Sequence, residues 1–477
     1  MNTEDLAYLP AVEALRLFRR RELSPVELMR AVVERAERTE PVVNAFAERL
    51  FDEALDQARR AEARYAAGSR LPPRPLEGLP VAAKELHAMA GRPVTNGSLV
   101  PPGPPPRENA PVIDRVLAAG GIVHARTTQS EFGVSTFTHS RLWGVTRNPW
   151  QPEYSPGGSS GGSAAALAAG SATLATASDI GGSIRIPAAF TGLAGFKPPH
   201  GRVAAAGTGG ADTYRSDGPL ARTVADCALL QNVLCGPDPR DHHALRPAYV
   251  LPDTHAPVAG ARLALCVRLG DFRVHPEVEK NTRAVADALR EAGAVVEEIT
   301  LPWTVERVLH AAAPHFAARF GAGVVELAEA HGDLLTPYTL RFAEQMRTVA
   351  EQAGPLYGLQ REAELQRELA EAMAEFDALL CPTTTVPVFR AGDDMLDGCV
   401  VDGTDYGPWN LQSMTLPFNV AGNCPVLTVP SGRSSHGVPT GVQIVGHTFD
   451  DATVFRIGHA LEKLMPAPYA PEHRPAL

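Results

Sequence analysis

The order of hydrophobic and polar positions predicts strands and helices that alternate along most of this chain. Short apolar runs, such as LPVAA at 79–83 and GIVHART at 121–127, are separated by segments in which apolar residues recur at helical spacing. Residues 262–300 repeat the order strand, helix, strand. This alternation is typical of an α/β protein built on a central sheet.

Helical periodicity dominates two longer segments. Residues 4–68 predict helices, one of which begins at a capping box with Ser24 as N-cap. We expect residues 1–70 to form an N-terminal helical wrap around the core. The helical but irregular segment 303–375 is interpreted as a cap that shapes a substrate cleft.

One stretch of the chain gives up large side chains altogether. Residues 155–198 contain the clusters GGSSGG at 157–162 and GGS at 181–183, with small residues between them. Gly, Ala and Ser in this density indicate a backbone that must approach something closely. We interpret the stretch as an active site in which Ser159 and Ser183 carry the chemistry.

Composition and charge favour an ordinary globular protein with a small-molecule partner. The 477 residues are 44% hydrophobic and 21% charged, and the net charge of −10 comes with no local basic cluster. Nucleic acid is therefore not an expected partner. The amino terminus lacks signal-peptide features, no stretch is long enough to span a membrane, and the six cysteines form no CxxC pair. These features predict a cytoplasmic protein without a membrane partner.

Lysine is rare in this chain, which makes each lysine informative. Of 44 lysine and arginine residues only four are lysine, namely Lys84, Lys197, Lys280 and Lys463. Lysine is needed where arginine fails, which is where an amine must lose its proton. Lys84 ends a predicted buried strand, a costly position unless the amine is paired or neutral.

Two common explanations of the glycine-serine clusters fit poorly. GGSSG at 157–161 matches the GxSxG elbow of α/β-hydrolases, but a polar loop precedes it instead of a strand. A phosphate-binding P-loop needs GK followed by Ser or Thr, and no lysine lies between Lys84 and Lys197. A histidine-based triad and nucleotide binding are therefore both disfavoured.

The order of three motifs resembles the amidase signature family, hydrolases of carbon-nitrogen bonds with a Ser-Ser-Lys triad. The motifs are Lys84 near a strand end, GGSSGG with Ser159, and DIGGSIR with Ser183. Flanking segments such as GVTRNPW, PAAFTGLAGFKP and LPFNVAGNCPVLTVPSG extend the resemblance over nearly the whole chain. It implies a single amidase domain, 1–477, with a signature core at 79–230. The implied fold is α/β, with a large central mixed sheet between α-helices.

The resemblance assigns a role to each member of the triad. Ser183 would be the nucleophile, Ser159 a relay held by a cis peptide bond after Gly158, and Lys84 the terminal base. Burial lowers the pKa of an amine, so a neutral Lys84 could accept the proton of a serine that is otherwise a poor nucleophile. No metal or other cofactor is required by this chemistry.

The turn around Ser183 is expected to stabilise the tetrahedral intermediate. A helix that begins at Ser183 would add its dipole to the oxyanion hole. Asp179 and Arg185 are interpreted as structural support for the turn. The oxyanion hole itself would be formed by four successive backbone N–H groups, those of Ile180, Gly181, Gly182 and Ser183.

Other residues near the motifs receive structural interpretations. Ser160 is predicted to cap the following helix, Ser178 to be structural, and Lys197 to pair at the surface. The chain departs from the family immediately after Lys84, where it has Glu85 and His87 in place of Asp and Asn. This departure leaves the hydrogen bonding of the lysine open.

Two positions favour a hydrophobic substrate within the family. Ile186 follows Arg185 where the A component of glutamyl-tRNA amidotransferase usually has Gln, and Ile180 stands where Thr is common. We therefore expect a hydrolase of aryl, alkyl or acyl amides, extending to carbamates or esters, that acts as a monomer or homodimer. The alternatives are that amidotransferase component, which is a glutaminase, and a non-catalytic binding protein on the same fold.

The walls of the substrate pocket are the least defined part of the prediction. The aromatic residues of the segment 303–375 are read mainly as core. The candidate wall residues are Phe132, Trp143, Tyr154, Ile180, Tyr338 and Cys381.

Overall fold

A computed structural model of the chain describes residues 1–66, 69–407 and 413–477. Its strands are β1 (Phe46–Arg49), β2 (Pro80–Lys84), β3 (Ile122–Thr127), β4 (His139–Ser140), β5 (Gly144–Val145), β6 (Leu174–Asp179), β7 (Ala194–Lys197), β8 (Ser216–Ala221), β9 (Arg262–Leu265), β10 (Val295–Glu298), β11 (Ala378–Pro382), β12 (Val400–Val401), β13 (Thr404–Asp405), β14 (Val426–Arg433) and β15 (Pro439–Gly446). Its α-helices are α1 (Thr3–Ala7), α2 (Ala11–Arg20), α3 (Pro25–Val43), α4 (Phe51–Tyr65), α5 (Pro111–Ala118), α6 (Gly161–Ala168), α7 (Arg185–Thr191), α8 (Thr208–Ala211), α9 (Val224–Leu234), α10 (Pro276–Glu291), α11 (Val305–Phe316), α12 (Ala322–His331), α13 (Pro337–Gln352), α14 (Pro355–Met373), α15 (Pro417–Val420) and α16 (Asp451–Leu464).

The centre of the molecule is a mixed sheet, as predicted. Within the described ranges it has eleven strands in the order β1-β3-β2-β6-β8-β7-β14-β15-β11-β9-β10. The β3, β2 and β6 strands run parallel, as do β11, β9 and β10, whereas β6, β8, β7, β14 and β15 pair antiparallel in succession. The predicted α/β fold with a large mixed sheet and flanking helices is confirmed.

Both faces of the sheet are covered by helices. Successive residues of β15 show this, because Ile444 belongs to the core cluster that holds Phe455 of α16, whereas Val445 belongs to a second cluster with Trp303. Successive residues of a strand point to opposite faces, so each face has its own core. The α7 helix also contacts β14 and β15.

The amino-terminal segment differs from the prediction in one element. The capping box is present, since the Ser24 side chain accepts hydrogen bonds from the N–H groups of Val26 and Glu27. Residues Phe46–Arg49, however, form a strand that pairs antiparallel with β3 at the sheet edge. Four residues are too few for strand periodicity to stand out between two long helices, so the sequence pattern missed it.

Two further observations concern the chain as a whole. No helix in the three described ranges combines the length and the hydropathy that crossing a bilayer requires. All six cysteines are buried and free.

The topology brings the predicted site together at one edge of the sheet. The parallel neighbours β2 and β6 end at Lys84 and Asp179, so their carboxyl ends lie side by side. In α/β sheets this edge is where ligands bind. Ser159 lies two residues before α6, and Ser183 lies two residues before α7.

Candidate active site

Lys84 is buried at the end of β2 and contacts two serines. Its Nζ donates hydrogen bonds to Ser159 Oγ at 2.8 Å and to Ser178 Oγ at 2.9 Å. Burial, assisted by the charge of Arg215, lowers the pKa of Lys84 to about 7. An amine with this pKa is largely able to accept a proton at neutral pH, which is what a general base requires.

Ser178 is a residue whose contact with the lysine the sequence pattern does not reveal. The pattern predicts a structural role for Ser178. Its hydroxyl, however, is one of the two serine hydroxyls that accept a hydrogen bond from Nζ of Lys84. The signal for this contact is the position of Ser178 immediately before Asp179, at the end of a strand that is parallel to the lysine strand.

Ser159 follows a cis peptide bond from Gly158, as the resemblance implied. Gly158 lies against the backbone of Phe137, and a Cβ at this position would be 2.2 Å from the Phe137 carbonyl oxygen. Only glycine fits there, because real Cβ atoms do not approach an oxygen so closely. The close contact fixes the loop that carries Ser159 against the loop that carries Phe137.

Ser160 takes the N-cap position of α6, but its side chain does not cap the helix. Its Oγ instead donates to the Ser178 carbonyl at 3.3 Å and lies 3.4 Å from the Ser178 N–H. The predicted capping hydrogen bond is therefore wrong. The hydroxyl ties the serine loop to β6, next to the hydroxyl that contacts Lys84.

The turn that carries Ser183 is held by a fully buried ion pair. Asp179 accepts hydrogen bonds from the N–H groups of Gly182 and Ile184, and it pairs with Arg185 at 2.9 Å. Burial alone would raise the pKa of Asp179, but the Arg185 charge outweighs it and lowers the pKa to about 2. Asp179 is thus a permanent anion that shapes the turn.

Arg185 also connects this turn to the carboxyl-terminal part of the chain. Its guanidinium donates to the Thr415 carbonyl, to Gln443 Oε1 and to Asn419 Oδ1 at 2.6–2.9 Å. Buried arginine of this kind is satisfied only when all its donors find acceptors. The network supports the structural role predicted for Asp179 and Arg185.

Three of the four amides predicted to form the oxyanion hole have no hydrogen-bond acceptor among the described residues. No described residue accepts a hydrogen bond from the N–H groups of Ile180, Gly181 or Ser183. The N–H of Gly182 differs, because it donates to Asp179 at 2.8 Å. Gly182 has a φ of 125°, and a Cβ on it would lie 2.0 Å from Thr415 Oγ1, so this glycine serves the turn. The fourth amide is therefore removed from the predicted hole.

Helix α7 starts later than predicted. It begins at Arg185 with Ile184 at the N-cap, so Ser183 precedes the helix by two residues. The Ser183 side chain is nearly buried and lies on the wall of a cavity.

Glu85 and His87 make contacts that explain the departure from the family pattern. The Glu85 carboxylate accepts hydrogen bonds from the N–H groups of Thr95 and Asn96, which turns it away from the lysine amine. His87 Nδ1 lies 2.9 Å from Thr176 Oγ1 on β6. Neither side chain competes with the two serines for Nζ of Lys84.

Lys197 is the second lysine whose position corrects the prediction. It is fully buried, and its Nζ donates to the carbonyl groups of Pro198 and Gly422. Burial, followed by the charge of Arg185, lowers its pKa to about 8. The expected surface ion pair is wrong, because β7 lies inside the sheet.

A cavity of about 500 Å³ opens at Ser183, Ile180 and Gly181. Its opposite walls come from α11, the π-helical turn Ala317–Gly321 and α13, all within the segment interpreted as a cap. The large apolar residues on these walls are Leu309, Phe316, Phe320, Phe342, Met346 and Val349.

Among the described residues of the cavity wall, the charged ones are Arg341 and Glu344. Arg341 and Glu344 form an ion pair with each other at 3.2 Å, and both side chains are about half exposed. The other described lining residues offer backbone, hydroxyl and apolar groups and the amide of Gln345. The cavity is therefore suited to an apolar molecule that presents a carbonyl to Ser183.

Of the six predicted wall residues, only Ile180 lies on this cavity. Tyr338 is fully buried and donates to the His139 carbonyl, and Cys381 lies inside β11 against Gln443. Tyr154 Oη is 3.1 Å from His436 Nδ1.

The other two predicted wall residues also lie off the cavity. Trp143 packs near Gly97, and Phe132 packs into a hydrophobic cluster beside Gly133, which does line the cavity. The aromatic walls are instead Phe316, Phe320 and Phe342, which the sequence favoured as core.

The site thus combines a buried lysine that contacts two serines with a glycine-containing turn that carries Ser183 on a cavity wall. A family model described as Amidase matches residues 27–455. The A component of the glutamyl-tRNA(Gln) amidotransferase of Chloroflexus aurantiacus is 35% identical, with 93% of this chain and 94% of that protein covered. The chain belongs to the amidase signature family.

Solved structures agree with this assignment. A bacterial aryl acylamidase of the amidase signature family is 27% identical, with a TM-score of 0.88, covering 98% of this chain and 99% of that one. The A component of the glutamyl-tRNA(Gln) amidotransferase of Thermotoga maritima is 26% identical, with a TM-score of 0.74, covering 97% and 96% of the two chains.

Proposed function

We propose that the protein hydrolyses hydrophobic amides through a covalent acyl-enzyme on Ser183. The observation that carries the proposal is the position of Ser183 on an apolar cavity, where its carbonyl accepts the N–H of Ser160. The preceding residue, Ser159, contacts a lysine of lowered pKa. The contact between Lys84 and Ser159 is intact, which argues against a non-catalytic binding protein.

In the proposed reaction, Ser183 Oγ attacks the amide carbonyl carbon while its proton moves to Ser159. Ser159 passes its own proton to the neutral amine of Lys84, 2.8 Å away. As the carbon-nitrogen bond breaks, Ser159 gives one proton to the leaving nitrogen and takes one back from Lys84, which becomes neutral again. Water then attacks the ester of Ser183 by the same relay, which releases the acid and restores the serine.

The free N–H groups of Ile180, Gly181 and Ser183 are proposed to receive the oxyanion. Preorganised amides of this kind need no rearrangement when negative charge develops on the carbonyl oxygen. The buried pair of Asp179 and Arg185 would hold them in place. Three amides would be sufficient, since oxyanion holes in other hydrolases use two.

The cavity walls support an aryl, alkyl or acyl amide as the substrate. Glutamine would bring a charged ammonium and a carboxylate, and burying them without partners against apolar walls is costly. The charged cavity residues Arg341 and Glu344 already pair with each other. The aryl acylamidase, with a TM-score of 0.88 against 0.74 for the amidotransferase component, also favours this choice. Carbamates and esters enter the same acyl-enzyme route.

The second candidate function rests on the names of the sequence relatives. Curated relatives at 35% identity are A components of glutamyl-tRNA(Gln) amidotransferases, including that of Chloroflexus aggregans. If this chain shares their role, it releases ammonia from glutamine within a multisubunit complex. Sequence similarity favours this candidate, whereas the apolar cavity favours the first.

A substrate panel on the isolated chain distinguishes the two candidates. Hexanoyl and benzoyl p-nitroanilides, a carbamate and glutamine are compared, with Ser183→Ala as the control for background hydrolysis. We expect turnover of the anilides and none of glutamine. Turnover of glutamine alone would replace the proposed function with the amidotransferase role.

A further inference from the structure

His87 belongs to a buried polar chain behind the catalytic lysine. Its side chain is 1% exposed. Nδ1 lies 2.9 Å from Thr176 Oγ1, and the same hydroxyl oxygen accepts the backbone N–H of Lys84 at 3.3 Å. One intervening hydroxyl therefore connects the imidazole to the backbone of the lysine.

The other side of the imidazole faces a carboxylate. His87 Nε2 is 3.4 Å from Asp217 Oδ1 on β8. Asp217 lies opposite Ser178 in the antiparallel pairing of β8 with β6. The Ser178 hydroxyl accepts a hydrogen bond from Nζ of Lys84. These contacts therefore form a path from the backbone N–H of Lys84 to its side-chain amine.

Along this series of contacts, the hydrogen-bond donors can be assigned consistently. An ionised carboxylate only accepts, so the proton of a neutral imidazole belongs on Nε2, toward Asp217. Nδ1 is then an acceptor for the Thr176 hydroxyl, which itself accepts from the Lys84 N–H. These contacts involve the backbone N–H of Lys84 and leave its Nζ to Ser159 and Ser178.

We propose that His87 is a positioning residue for Lys84, which orients the lysine through Thr176 and shields it from the charge of Asp217. The inference rests on the proposed function, in which Lys84 is the base that serves Ser183. It adds a residue that touches neither the substrate nor the reacting atoms.

The charges around Lys84 determine the direction in which each substitution should shift its pKa. Burial and Arg215 lower the pKa of Lys84, whereas Asp217 and Asp179 raise it. Asp179 is committed to Arg185, and Asp217 lies 3.1 Å from Arg215. Removing the His87 N–H would expose Lys84 to more of the Asp217 charge and raise its pKa. Neutralising Asp217 would lower it.

The groups on the other side of the segment do not face the lysine. Glu85 is turned toward Thr95 and Asn96, and Arg126 lies 3.5 Å from Glu85. The opposite charges of Glu85 and Arg126 partly cancel each other. Asp217 is therefore the charge that His87 is placed to control.

The test compares the pH dependence of kcat/KM in His87→Leu, His87→Gln and Asp217→Asn. We expect the acid limb to move up by about half to one pH unit in His87→Leu, with KM little changed. His87→Gln retains a donor toward Asp217 and should stay near the unmodified protein. Asp217→Asn should move the limb down. General destabilisation cannot produce opposite shifts, so the sign carries the test even if one variant folds poorly.

A buried histidine elsewhere in the sheet provides the matched control. His124 bonds only to the carbonyl groups of Val81 and Ser171 among the described residues, so His124→Gln should lower stability and leave the acid limb in place. An unchanged limb in both His87→Leu and Asp217→Asn, or shifts in the same direction, would overturn the inference.

Labelling of Ser183 by a fluorophosphonate separates this inference from the proposed function, because it needs no substrate. If the unmodified protein is neither labelled nor active, the proposed function fails. If it is labelled with an acid limb that His87→Leu and Asp217→Asn leave in place, only the role of His87 fails.

Discussion

At the scale of single residues, the proposed chemistry depends on one amine. Lys84 is one of four lysines, and two serine hydroxyl groups accept hydrogen bonds from its Nζ. Its scarcity draws attention to it in the sequence, and its burial explains why its pKa is lowered to about 7. An arginine in the same place would stay charged and could not act as a base.

The pH dependence of turnover should report this amine. Neutral Lys84 is the active form, so activity is present above a pH of about 7 and is lost as the pH falls through this value. Lys84→Arg should lower kcat by at least about 10³-fold. The exposed Lys280→Arg is the control. An arginine variant with near-normal turnover would refute the neutral base.

Ser178 should matter more than a structural serine. Ser178→Ala removes one acceptor of Nζ and is expected to lower kcat/KM about ten-fold, since a lost buried hydrogen bond costs about 1–2 kcal/mol. Ser163 offers a comparison, because it is equally buried and bonds to Thr127 and Thr176 without touching Lys84. Equal kinetics in Ser178→Ala and Ser163→Ala would argue against a specific role of Ser178.

At the scale of elements, the sequence predicted the strand end and the glycine clusters better than the cavity walls. Strand ends and glycine clusters are local patterns, so Lys84, Ser159 and Ser183 could be located from sequence. The walls depend on which part of a distant helix lies over the site. Tyr338 and Phe342 are one turn apart on α13, yet only Phe342 lines the cavity.

The glycine at the serine loop should be irreplaceable. A Cβ at Gly158 would meet the Phe137 backbone, which cannot move like a flexible side chain. We expect Gly158→Ala to reduce the free energy of unfolding by at least about 2 kcal/mol, measured by urea denaturation. Gly103→Ala, where nothing lies within 4 Å, is the control. Equal stability of the two variants would contradict the packing described for this loop.

At the scale of the whole molecule, the cavity at Ser183 is lined both by the segment 303–375 and by the rest of the chain. The core presents Ser183 and the glycine turn, and the helices α11 and α13 close an apolar wall over them. Under the proposed function, this arrangement separates the reaction centre from a wall that would select the substrate. The specificity should therefore change without loss of the chemistry when the wall is altered.

Phe316→Ala tests this division. We expect KM for a hexanoyl p-nitroanilide to rise about ten-fold with little change in kcat, because partial loss of a buried phenyl contact costs about 1.4 kcal/mol in binding. Tyr357→Ala, on the exposed surface of α14, should leave both constants unchanged. A fall in kcat alone would mean that Phe316 supports the reaction centre instead.

The most direct measurement is the mass of the isolated chain during turnover of hexanoyl p-nitroanilide, quenched in acid and mapped by peptide. We predict a hexanoyl group on the peptide that contains Ser183, absent in Ser183→Ala and strongly reduced in Lys84→Arg. An acyl group on another residue, or its formation from glutamine only, would contradict the proposed mechanism.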